Sequence, residues 1–110
     1  MGKTKTTKPP KLAKQGLLAS VAHSVASGDY VILPHARQRC TERDVAAPDI
    51  EEALSNGRHT PRRDRYDESF KSWSYCFEGR SIGQDLLRIV VAFDGKMLVV
   101  TVVRLSDVAR

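Results

Sequence analysis

His35, Arg39 and Arg43 recur at every fourth position, which lines three side chains along one helical face and leaves Ala36 and Cys40 on the neighbouring, buried one. An imidazole titrates near neutral pH and can carry a proton. A guanidinium is a fixed planar cation that grips phosphate oxygens in pairs. Together they suit phosphodiester cleavage. RNA brings its own nucleophile in the 2′-hydroxyl, so a metal-free nuclease needs a base, an acid and cations for the charge developing on the phosphorane. The same spacing admits a structural reading, in which Glu42, Asp44, Glu51 and Glu52 pair with the arginines and His35 caps a helix or bridges to a sheet.

A second basic cluster, Arg58, His59, Arg62, Arg63 and Arg65, has the charge to follow a nucleic-acid backbone. Asp64, Asp67 and Glu68 dilute it, and a solvated loop accounts for it equally well. His23 and His59 have no partner at ligand spacing and read as surface residues. Trp73 reads as core or sheet-face packing in preference to a platform for bases. Cys40 and Cys76 belong to no Cys-x-x-Cys pair and no Cys/His ligand set, so neither a zinc site nor any cofactor is expected, and two reduced thiols imply a cytoplasmic protein.

The net charge of +5 invites a polyanion partner. Lys3, Lys5, Lys8, Lys11 and Lys14 carry that excess, with no acid among them, so the rest of the chain is electrically balanced. Residues 1–10, with Lys/Thr alternation and Pro9-Pro10, have nothing to bury and read as a disordered basic tail. Residues 11–110 read as one domain. No apolar run approaches the roughly 20 residues of a membrane span. The stretch around Leu17 and Leu18 is interrupted by Ser20, His23 and Ser24, against an export signal.

The positioning elements follow from periodicity. Leu18, Val21, Ala22 and Val25, widened by Leu17, predict a helix over 11–27 that Gly28 ends. Tyr30–Leu33 predicts a short strand, and Pro34 opens a helix to Arg43 that Asp44 breaks. Pro48 opens a third helix with buried Ile50, Ala53 and Leu54, stopped in a left-handed turn at Asn56-Gly57. Residues 58–68 predict a weak edge strand and loop. Beyond them the period is two: Trp73, Tyr75 and Phe77 share one side of a strand. Two long strands, 86–93 and 97–104, meet at Asp94-Gly95. A two-residue turn there sets Phe93 opposite Lys96, Val90 opposite Val99 and Arg88 opposite Thr101. That register makes Leu87, Ile89, Val91, Phe93, Leu98, Val100 and Val102 the floor for the helices. The expected fold class is α+β, with N-terminal helices on one face of a C-terminal antiparallel sheet.

The stretch His35-Ala36-Arg37-Gln38-Arg39-Cys40-Thr41-Glu42-Arg43, then Asp49 to Gly57, a Tyr-bearing strand and a strand with Val-Thr-Val resembles a bacterial family known as domain of unknown function 4258. The resemblance covers about residues 30–104 and leaves the lysine tail and first helix outside. The family looks like a branch of the RNase folds named for barnase, EndoU, colicins and RelE. Their helices pack on a curved antiparallel sheet, and many are toxins paired with an antitoxin. The resemblance implies a RelE-like, metal-independent endoribonuclease (a hydrolase-type toxin), or alternatively a non-catalytic module binding RNA, ribosome or protein. It implicates His35 as general acid or base and Arg39 and Arg43 as phosphate clamps, and more weakly Arg88 as a second transition-state cation, Tyr75 as a base-stacking or proton-donating group, and Thr101. Arg58, Arg62, Arg63 and Arg65 would support RNA binding. Leu33 stands where such helices commonly carry a capping Ser or Thr.

Overall fold

The computed structural model describes residues 8–69 and 71–105. Three helices, α1 (Lys14–Ser27), α2 (Pro34–Arg43) and α3 (Ala47–Asn56), stand with six strands: β1 (Tyr30–Ile32), β2 (Arg58–His59), β3 (Arg65–Asp67), β4 (Ser72–Arg80), β5 (Leu86–Asp94) and β6 (Lys96–Arg104). The fold is α+β with a mixed sheet, in the order β1-β6-β5-β4-β2, and β3 also pairs with β4. The expectation of a wholly antiparallel sheet is corrected at one edge, where β1 runs parallel to β6. Continuous chain direction explains it: β1 feeds straight into α2, which returns against the sheet instead of turning back in a hairpin.

Residues 1–7 of the expected tail lie outside the described residues. Its last three are held against β4, where the Trp73 indole Nε1 donates to the Pro9 carbonyl at 2.7 Å. Lys11 and Leu12 are also engaged by the sheet, so α1 starts at Lys14, three residues later than periodicity predicts. Its buried stripe is Leu17, Val21 and Ser24, while Leu18 and Ala22 face outward. Gly28 ends the helix in the left-handed region, at φ 73°.

Phe77, Leu87, Ile89 and Val91 form the inward face of β4 and β5 and meet Leu17, Ala36, Ile50 and Ala53 in one core. On β6 the expected floor is corrected. The turn closes around Gly95 alone, with Asp94 opposite Lys96 and Phe93 opposite Met97, and a bulge at Val90/Val91 then sets Val90 opposite Thr101. The tighter turn and the bulge shift the alternation, so Met97, Val99 and Val102 are buried while Leu98 and Val100 lie half-exposed on the opposite face.

Gly57 does not take the expected left-handed stop; its backbone is extended, at φ −86°. Its lack of a side chain serves a close approach instead. A Cβ there would sit 2.4 Å from the Ala53 carbonyl oxygen and 2.5 Å from that of Glu78, and one on Gly79 would sit 2.0 Å from the Ala53 oxygen. Two glycines therefore let the end of α3 rest on the β4 backbone.

Candidate functional site

The start of α2 is set by backbone, not by a capping side chain. Leu33 donates its N–H to the Val99 carbonyl at 3.0 Å and accepts from the Arg37 N–H at 2.8 Å, so one residue joins β6 to the first helical turn. Pro34 follows it, where the missing N–H costs nothing. Ala36 and Cys40 turn into the core, and burial pushes the Cys40 thiol upward, opposed by the charge of Arg37. His35 is exposed; Arg39 and Arg43 are half-buried beside it.

Three of the four carboxylates expected to compete for this strip have other partners, while Asp44 ends α2 in the left-handed region. Glu42 accepts from Gln38 at 3.2 Å, Glu51 accepts from the Tyr30 hydroxyl, and Glu52 accepts from Asn56 at 3.4 Å. Among the described residues, no ion pair involves His35 or Arg39. The strip therefore presents the exposed His35 imidazole with the half-buried Arg39 beside it.

The sheet residues divide between two faces. Tyr75, opposite Val91, is buried on the helix side, and its hydroxyl accepts from the Leu12 N–H at 3.0 Å. Arg88, opposite Glu78, lies on the other face, where its Nε donates to the Glu78 carboxylate at 2.9 Å. Strand alternation separates the two, so they do not converge on one substrate atom. Thr101, opposite Val90, shares the Arg88 face, although Val103 and not Thr101 stands across from Arg88. Arg58 pairs with Glu78 in the β2–β4 register, so Arg58, Glu78 and Arg88 form a row across three strands. Arg62 and Arg63 are exposed on a single 3-10 turn, Pro61–Arg63, and Arg65 is exposed at the start of β3, where its guanidinium donates to the carbonyls of Arg62 and Asp64.

His59 is not the surface residue its spacing suggests: its side chain is only 7% exposed. Nε2 lies 2.8 Å from Asp64 Oδ2, which also receives the Lys11 ammonium at 2.7 Å, and Asp64 Oδ1 accepts from the Cys76 N–H at 2.9 Å. The ring packs against Phe77 and Tyr75. The signal was the five-residue step from His59 to Asp64 around a proline turn, which places both beside Cys76 and Phe77 at the middle of β4. Among the described residues, no cluster of three or more His, Cys, Asp or Glu has the arrangement of a metal site. No helix there is long and apolar enough to cross a membrane.

Residues 32–104 match a family described as a domain of unknown function, DUF4258. The chain belongs to that family. The match begins at the end of β1 and runs through β6, so it contains the α2 strip and every sheet residue above, while α1 and the segment before it lie outside. No curated protein and no solved structure matches the chain.

Proposed function

We propose that this DUF4258 domain is a metal-independent endoribonuclease of the toxin type, with a RelE-like arrangement, acting on RNA in the cytoplasm and restrained by a cognate antitoxin protein. The α2 strip carries the reading. His35 is exposed and Arg39 half-buried, no ion pair among the described residues involves either, and Glu42, Glu51 and Glu52 are bonded elsewhere. His35 serves as general acid or base, and Arg39 and Arg43 hold the scissile phosphate.

One observation favours a second reading, a non-catalytic module that binds RNA, ribosome or a partner protein. Arg88 is matched by Glu78, and Tyr75 faces the core with its hydroxyl engaged, so neither stands ready beside His35. Purified protein incubated with RNA in a chelating buffer separates the two. Cleavage that His35→Ala and Arg39→Ala both abolish supports the nuclease. RNA bound but left intact by the parent chain supports the binding module, and no RNA binding at low salt refutes the nuclease and the RNA-binding module, leaving only a protein-binding role.

A further inference from the structure

The lysine segment and the arginine turn are separated by some fifty residues in sequence, yet the fold sets them along one edge of the sheet. Asp64 is the joint. It follows Arg63 directly, accepts Lys11 at 2.7 Å and is itself 1% exposed, so its charge is spent inward on Lys11, His59 and the Cys76 N–H. Pro9 and Leu12 are fastened at either side, by the Trp73 indole at 2.7 Å and the Tyr75 hydroxyl at 3.0 Å. The segment is thus a built part of this edge.

Its ammonium groups lie over aromatic rings. Lys8 Nζ is 5.9 Å from the Tyr66 ring centre and 5.7 Å from that of Trp73, and Lys11 Nζ is 5.4 Å from Trp73. Tyr66 and Trp73 are cross-strand partners on β3 and β4, in edge-to-face contact at 5.7 Å, and both remain half-exposed. Arg62 and Arg63 are exposed on the adjoining turn, whereas Arg65, opposite Ser74, lies on the other face of β3 with its guanidinium donating to the carbonyls of Arg62 and Asp64. Cations interleaved with half-exposed aromatic rings are the chemistry of a single-stranded nucleic-acid site: ammonium and guanidinium groups track phosphates while successive bases stack on the rings. An acidic peptide would use the charges and leave Tyr66 and Trp73 without a role.

We propose that Lys8, Lys11, Tyr66, Trp73 and the exposed Arg62 and Arg63 form a binding site for single-stranded RNA, distinct from the α2 strip. The site rests on the proposed function for its ligand, and it supplies what the cleavage strip lacks, a surface that holds the strand. On binding, a phosphate replaces the ring as the partner of the Lys8 ammonium, and its base comes against Tyr66 or Trp73. Lys8 lies before the DUF4258 match, so this chain's own extension completes a surface that the family domain only half provides.

Trp73 is the chain's single tryptophan, so its fluorescence reads the site directly. The full chain is titrated at low salt with a 2′-O-methyl RNA oligonucleotide, which binds but cannot be cleaved. Saturable quenching is expected. Lys8→Glu and Arg62→Glu, both at exposed positions, should each weaken binding about tenfold and flatten its salt dependence by about one phosphate contact. Absence of quenching, affinities within about twofold of the parent in both variants, or equal quenching by a poly-glutamate peptide overturns the site. Cleavage of unmodified RNA is followed in parallel. Quenching without cleavage leaves this site standing and removes the nuclease, whereas cleavage without quenching does the reverse.

Discussion

Replacing Gly79 by alanine tests whether α3 really rests on bare β4 backbone. The new Cβ would lie 2.0 Å from the Ala53 carbonyl oxygen, 2.9 Å from its carbon and 2.8 Å from Gly57 Cα. All three are backbone atoms, so no side chain can rotate away. Ordinary contact begins at 3.4 Å, which requires the end of α3 to withdraw by roughly 1.4 Å. That movement pulls Ala53 and Leu54 from the core and forfeits their dispersion contacts. Overpacking typically costs about 1–3 kcal/mol, and with only backbone to yield we expect the upper end, about 3 kcal/mol. With a urea m-value of about 1–3 kcal/mol/M, the unfolding midpoint should fall by about 1–3 M. Gly16→Ala is the internal control. Nothing lies within 4 Å of its Cβ position on α1, so removing a helical glycine should stabilise by about 0.5–1 kcal/mol. Urea melts followed by far-ultraviolet circular dichroism and Trp73 fluorescence measure both. A Gly79→Ala midpoint indistinguishable from the parent refutes the close approach.

Asp64→Ala removes the acceptor of a buried N–H, an imidazole and an ammonium together, and should cost about 3 kcal/mol. Asp64→Asn should cost less because its amide oxygen can still accept from Cys76, a difference that chemical unfolding resolves. Burial, then the bond to Glu51, raises the Tyr30 hydroxyl from 10.0 to about 12. A raised pKa means that the folded state holds the proton more tightly, so this contribution is complete below pH 10 and disappears as pH climbs to 12. Thermal melts across that window should show a shallower alkaline decline for Tyr30→Phe than for the parent; an equal decline would exclude Tyr30 as its source.

Much of the fold is written locally. Pro34 and Asp44 bound α2, and the i, i+4 step of Ala36 and Cys40 against His35 and Arg39 states which face is buried. Trp73, Tyr75 and Phe77 alternate as a strand must, and Tyr75 and Phe77 are buried on the helix side. What failed depended on partners distant in sequence. The Gly95 turn and the Val90/Val91 bulge exchange Leu98 and Val100 for Met97 and Val99 in the core. A one-residue change of register reverses every side chain beyond it, and neighbouring residues carry little sign of it. His59 was misplaced for a related reason: burial of an imidazole depends on a carboxylate reaching it, and that carboxylate is fixed by its bond to Cys76 on another strand.

Taken alone, the chain's residue order determined the helices, the long strands, the basic strip on α2 and the family to which residues 32–104 belong, because periodicity, caps and motif spacing act over a few residues. Tertiary structure alone decided that β1 runs parallel to β6, that Arg88 and Tyr75 occupy opposite faces, and that Lys8 and Lys11 join Trp73 at a sheet edge. Those outcomes are set by strand pairing and by charge desolvation between segments far apart in the chain, where no local pattern specifies the partner.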